Sequence, residues 1–223
     1  MQLGIAAGNR GCGKSWSVTP LLVAPAALEP IRVLCARETQ KSIAESVHRL
    51  LKDQVVELQL GATFEVQESR ILGRNGSEFG FAGIRQQGVA NLKSFEGVDI
   101  CRVEEALVTT KRSWDVLIPT IRKPVSEIWI TFNPELDTDE TYVRFVADPP
   151  EGALVIACNW NDNPSFSVEL DKQMRDWLRP IRRDTARCGK GNAGQSWRAR
   201  ITRGRLRRCR PTAGWARRRT PRC

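Results

Sequence analysis

The stretch GNRGCGKS, Gly8–Ser15, constrains this chain more than any other part of it. It fits G-x-x-x-x-G-K-[ST] and follows a short apolar run, LGIAA (Leu3–Ala7). A strand that runs into a glycine-rich loop and then a helix gathers backbone N–H groups and the positive end of a helix at one point. That is a ready cradle for phosphate oxygens. Gly8, Gly11 and Gly13 give the backbone the freedom to turn, Lys14 reaches the β- and γ-phosphates, and the Ser15 hydroxyl ligates Mg²⁺. The competing reading is a glycine-rich turn with no ligand. Arg10, inside the loop, is either a surface arginine or a cis-acting charge that meets the γ-phosphate.

The rest of the chain alternates strands with helices. The helix after Ser15 is expected to be kinked or short, because Pro20 and Pro25 interrupt it. IRVLCA (Ile31–Ala36) reads as a strand. Ile43, Val47, Leu50, Leu51, Val55 and Leu58 recur at helical spacing, with His48 beside that stripe as a plain helix residue. TFEVQE, RILG and EFGFAG are short strands, with a hairpin turn at Arg74–Ser77. VDICRVEEA is a strand ending in two acids, KRSWDVLIPTIRKP a helix with a proline bend, SEIWITFNP a strand, TYVRFV a short helix and ALVIAC a last strand. SVELDKQMRDWL closes the pattern as a helix with Ser167 as its N-cap. Such alternation predicts an α/β fold, a mostly parallel sheet with helices on both faces.

Charge divides the chain at about Arg179. Residues 1–178 hold 19 Lys+Arg and 24 Asp+Glu, a net of −5, whereas residues 179–223 hold 16 Lys+Arg and one acid, a net of +15. The formal charge of +10 therefore describes the tail, and it is no argument that the body binds nucleic acid. The tail has too few large aliphatics to offset chain entropy and is expected to be disordered. Seven scattered cysteines without a C-x-x-C pair, and a single histidine, argue against a zinc site and for buried thiols in a reducing compartment. No apolar run approaches a membrane span or a signal peptide. The expected organisation is a domain over 1–160, a linker helix over 161–178 and an Arg-rich tail over 179–223.

A triphosphate hydrolase needs a carboxylate for its metal and one to activate water. Glu104 and Glu105 end a β-run 90 residues beyond Lys14 and fit those two roles. Solvated acids at a helix start are the alternative. TFNP, Thr131–Pro134, ends the next strand: its polar side chains can sense the γ-phosphate, or Asn-Pro makes a simple strand-end turn. Arg102 stands out: a central parallel strand is buried on both faces, so an arginine there must snorkel, pair or destabilise.

Taken together, GNRGCGKSWS, RVLCARETQKSIAESVHRLLKDQ, RNGSEFGFAGIRQQGVANLKSFEGVDICRVEEA, KRSWDVLIPTIRKPVSEIWITFNPE and VIACNWNDNPSF resemble the large subunit of tailed-phage terminases, the PBSX-like group. The resemblance covers roughly residues 3–178. It implies a P-loop NTPase fold and an ATP- and Mg²⁺-dependent motor that drives double-stranded DNA into a procapsid in the cytoplasm of a bacterial host. It implies a small terminase subunit and a portal protein as partners, with large subunits assembling on the portal. By position, Gly8–Ser15 resembles the Walker A loop, with Glu104 the Walker B acid, Glu105 the catalytic glutamate, and Thr131–Asn133, with Asn133 at the nucleotide, the coupling motif. NWNDNP resembles the approach to a second domain. Lys93 resembles the basic group that reaches a neighbouring subunit's ATP. Family members continue into a nuclease domain that nothing here resembles, so no endonuclease activity is expected. The tail is read as a frameshifted remnant of a truncated chain, with a basic arm on DNA as its rival. An inactive prophage remnant and an unrelated P-loop enzyme remain as alternatives.

Overall fold

In a computed structural model, residues 1–39, 43–85, 97–169 and 171–173 are described. Among these residues eight strands form one sheet: β1 (Gln2–Gly8), β2 (Arg32–Arg37), β3 (Phe64–Val66), β4 (Ile71–Gly73), β5 (Glu78–Gly83), β6 (Ile100–Glu104), β7 (Glu127–Phe132) and β8 (Leu154–Cys158). Their order is β3-β4-β5-β2-β6-β7-β1-β8. The strands from β5 to β8 in that order all pair in parallel, and β3 and β4 add an antiparallel edge. The turn between β4 and β5 is the expected one, with Gly76 at φ 94°.

Strand residues alternate between two cores, as a sheet covered on both faces requires. Ala6, Val33, Cys35, Ile100 and Trp129 face one core; Ile5, Leu34, Cys101, Val103 and Ile130 face the other. Helices α1 (Lys14–Val18), α2 (Pro20–Leu28) and α3 (Arg49–Glu57) cover the first face. A wide π-type turn at Ala44–His48 leads into α3. Ile43, Val47, Leu51 and Val55 form its buried stripe, while Leu58 is 39% exposed because the helix has already ended. Pro20 does not kink a continuous helix. It starts α2 at the position where its missing N–H is harmless, so the chain after Ser15 forms two successive short helices. His48 shares one hydrogen bond with the Gln67 carbonyl at 2.7 Å and packs against Phe81, as expected of a helix residue.

On the second face lie α4 (Lys111–Thr120) and α5 (Glu140–Tyr142), the latter continued by a π-type turn to Ala147. Thr110 caps α4 by accepting from the Ser113 N–H at 3.2 Å. Pro119 sits in the last turn of α4. Trp114 is fully buried, meets Phe145 edge to face, and donates to Thr141, which donates to the Ala106 carbonyl at 2.6 Å. That chain of bonds fixes the backbone just beyond Glu105. The expected helix from Ser167 falls partly within the described residues, where the Asp171 N–H bonds to the Ser167 carbonyl at 3.0 Å. The rest of it, and the tail over 179–223, lie outside the described residues.

Candidate functional site

In a parallel sheet every strand delivers its carboxyl end to the same edge, and ligands of such folds bind there. Here that edge collects the loop after β1, Arg37 from β2, Glu104 and Glu105 from β6, Thr131–Asn133 from β7, and Cys158 with the following turn from β8. β7 lies between β1 and β6, so its end stands between the glycine-rich loop and the acids. Ala6 and Glu104 both lie in register with Thr131.

The loop has the backbone its motif demands. Gly11 and Gly13 sit at φ +79° and +80°, a left-handed conformation that side chains disfavour. Gly8 ends β1, and Gly13 caps the start of α1. The Lys14 ammonium donates to Asn133 Oδ1 and to the Asn9 carbonyl at 3.3 Å. The Ser15 hydroxyl donates to Glu104 Oε1. Arg10 is exposed on the loop.

Glu104 is the electrostatic centre of this edge. Only 8% exposed, its Oε2 accepts from Thr131 Oγ1 at 2.6 Å and from Arg102 Nε and Nη2 at 3.0 and 2.6 Å. Burial pushes its carboxyl up. The Arg102 charge, together with bonds from Ser15, Thr131 and Arg102 itself, outweighs burial and holds the group below its ordinary value. Glu105, at the same edge, pairs towards β2. Its backbone is left-handed at φ 51°, its side chain is two-thirds exposed, and it is ion-paired with the buried Arg37. A non-glycine residue held in that conformation costs about 1–2 kcal/mol, strain of the kind that gathers at functional sites.

Sequence reasoning missed two features. Arg37, the residue after the apolar run of β2, is one; a buried arginine ending a core strand is the signal. The other is the turn after β8. Asn9 Nδ2 donates to Asn159 Oδ1 at 2.8 Å, and Asn163 Nδ2 donates to the Gly11 carbonyl at 2.7 Å. A Cβ on Gly11 would lie 2.2 Å from the Phe166 ring, so that ring closes over the loop. Asn159 holds its own turn through a capping box with Asp162. NWNDNP is therefore a brace on the glycine-rich loop. Cys12 in the loop and Cys158 bring their sulfurs to 3.0 Å. A hydrogen bond from Cys158, and Lys14 close by, lower the Cys12 thiol to about 6 against the opposing effect of burial, and the shared proton pushes Cys158 up. Cys35 and Cys101 are buried free thiols, as expected. Among the described residues there is no group of three His, Cys, Asp or Glu that could hold a metal ion. Lys93 lies outside the described residues.

Residues 1–187 match the family described as phage terminase large subunit. The chain belongs to that family. The fold agrees: the large terminase of a thermophilic bacteriophage superposes with a TM-score of 0.64 at 15% identity, over 77% of this chain and 44% of that one. The large terminase ATPase domain of Thermus phage P74-26 gives 0.54 at 14% identity, over 81% and 82%. The N-terminal domain of the DNA packaging ATPase from bacteriophage phi29 gives 0.52 at 17%, over 74% and 93%. The first of these three, a large terminase, is also known in complex with ADP and with ATP-γ-S. No match to a curated protein sequence was found. The chain covers less than half the length of that large terminase. No helix among its described residues is long and apolar enough to cross a membrane.

Proposed function

We propose that residues 1–160 are the ATPase domain of a DNA-packaging motor, that 161–178 are a linker, and that 179–223 are a basic tail. The observation that carries this reading is the bond between Ser15 and Glu104, with Lys14 on Asn133 beside it. Residues from the phosphate loop, β6 and β7 thus converge where a triphosphate and its ion would lie. The donor set suits the ion. Ser15 Oγ and Glu104 Oε1 are hard oxygen ligands in direct contact, and Mg²⁺ takes few protein oxygens and fills its octahedron with water and phosphate. Bound with ATP, Mg²⁺ would neutralise charge on the phosphates.

The chain's own groups do the rest. The loop N–H groups and Lys14 hold the phosphates. Asn133, bonded to Lys14, reads whether the γ-phosphate is present. Glu105 accepts the proton of the attacking water. Arg10 and Lys93 are assigned to charge stabilisation at the γ-phosphate, in cis and from a neighbouring subunit. The family, and the ADP and ATP-γ-S complexes of the thermophilic phage's large terminase, support nucleotide binding in this reading. In the same reading the motor moves double-stranded DNA, with a small terminase subunit and a portal protein as partners, in the cytoplasm of an infected bacterium.

The test is Mg²⁺-dependent ATP binding and turnover by the full chain. ATP with Mg²⁺ should raise the melting temperature, and Lys14→Ala should abolish the shift. Glu105→Gln should keep the shift and lose turnover by about 10²–10⁴-fold. A wild-type chain with no shift at millimolar Mg²⁺-ATP would refute the reading.

A further inference from the structure

Arg102 is fully buried in the middle of the sheet, on the face that α1 and α2 cover, in register with Cys35 on one side and Trp129 on the other. It is not idle there. Nε and Nη2 bond Glu104 Oε2 at 3.0 and 2.6 Å, Nη1 bonds Thr19 Oγ1 at 2.7 Å, and Nη2 also reaches the Ser15 carbonyl at 3.1 Å. Thr19 Oγ1 donates to that same Ser15 carbonyl at 2.7 Å. With Thr131 also on Oε2, the two oxygens of Glu104 are treated differently. Oε2 is saturated by Arg102 and Thr131, and Oε1 is left to the Ser15 hydroxyl.

We propose that Arg102 is a positioning residue of the metal site: it holds the Glu104 carboxylate with a single oxygen towards Ser15 and ties that carboxylate to the first turns after the phosphate loop. The inference rests on the reading that Ser15 and Glu104 together meet the divalent ion. A guanidinium suits the task, because it is always charged and its planar fork serves several acceptors in a fixed arrangement. Two consequences follow from the geometry. The charge of Glu104 is balanced before any ion arrives, so the edge attracts a free divalent ion weakly and takes it together with the triphosphate. And a carboxylate that offers one oxygen fits the small octahedral Mg²⁺, whereas Ca²⁺ favours larger shells in which carboxylates can bind through both oxygens. Arg102 therefore acts on which metal is used and on the order in which it binds.

The experiment uses the full chain with Arg102→Met, which removes the fork, and Arg102→Lys, which keeps the charge but cannot serve Glu104, Thr19 and the Ser15 carbonyl in the same way. Free Mn²⁺ binding is read by electron paramagnetic resonance without nucleotide. Binding of a fluorescent ATP analogue is read with Mg²⁺ and with Ca²⁺. In Arg102→Met, free Mn²⁺ should bind at least about tenfold more tightly, since an opposing charge has gone from the site. Its preference for Mg²⁺ over Ca²⁺ should narrow, and Arg102→Lys should fall between. Should Arg102→Met fail to fold, the uncompensated Glu104 charge is the cause, so Arg102→Met combined with Glu104→Gln should restore a melting transition, and the Lys variant carries the metal measurements. A folded single variant whose Mn²⁺ affinity and Mg²⁺/Ca²⁺ preference equal those of the wild type overturns the proposal. A wild-type chain that does not bind the ATP analogue overturns the nucleotide reading instead, so the two failures are told apart.

Discussion

Replacing Thr131 by Val removes one hydroxyl and keeps the shape of the side chain. Thr131 is 1% exposed, and its Oγ1 donates to Glu104 Oε2 at 2.6 Å. No cavity opens, so the loss is that of one hydrogen bond to a charged acceptor, a net of about 1.5–3 kcal/mol. Arg102 still holds the same oxygen, which places the expected loss in the lower part of that range, about 2 kcal/mol. For a chain of this size that is a fall in Tm of about 4–8 °C.

The pH dependence makes the test specific. Glu104 is held below its ordinary value in the folded protein, against the upward push of burial, by Arg102 and by the bonds from Ser15 and Thr131. A carboxyl depressed in this way contributes stability that is fully present above its unfolded value and is lost as the pH falls through its folded value. Thr131→Val weakens the depression. The gap between wild type and variant should therefore be widest at neutral pH and close in acid, where Glu104 is protonated in both. Urea denaturation followed by tryptophan fluorescence at neutral pH and at stepwise lower pH measures it. A gap that stays constant with pH, or one below about 0.5 kcal/mol at neutral pH, the ordinary effect of a surface change, would refute the account of Glu104.

Asn163→Ala removes the donor to the Gly11 carbonyl and should loosen the phosphate loop. Hydrogen exchange at Asn9–Gly13 should rise, with an overall loss of stability of about 1 kcal/mol. Cys12 should alkylate with a half-point near pH 6, well before Cys158, and Cys158→Ala should move that half-point upward, which mass spectrometry of iodoacetamide-treated protein can follow. Because the Cys12 value is lowered on folding, its contribution to stability is present above the ordinary thiol range and should disappear as the pH falls through about 6.

Much of the fold was legible because its signals are local. The apolar runs of β1, β2, β6 and β7, the Ile43–Val55 stripe and the Asn-Gly turn each state a conformation in adjacent residues. The glycine-rich loop and the acid pair were legible for the same reason. Strand order is different. Nothing within SEIWITFNP says that it inserts between β1 and β6. That insertion is set by how the crossovers pack on the two faces, yet it is what places Thr131 on Glu104 and Asn133 on Lys14. Arg102 shows the same limit from the other side: that it must snorkel, pair or destabilise could be argued from burial alone. That its partners are Glu104, Thr19 and the Ser15 carbonyl depends on a helix and a strand far apart in the chain.

The parallel sheet also supplies a rule that the linear reading lacked. If every parallel strand ends at one edge, then the first polar residues after each apolar run are neighbours, however many residues separate them. Applied to VDICRVEEA and SEIWITFNP, the rule returns Glu104, Glu105 and Asn133. Applied to IRVLCARE, it returns Arg37 and Glu38, and Arg37 is the residue that pairs with Glu105. Applied to ALVIACNWNDNP, it returns Asn159, which grips Asn9 in the loop. Arg37 and Asn159 lie in stretches that the resemblance covers but to which it gives these residues no role, so reading by motif passes over what they do. Reading by strand end finds them because the sheet, and not the spacing along the chain, decides which side chains meet.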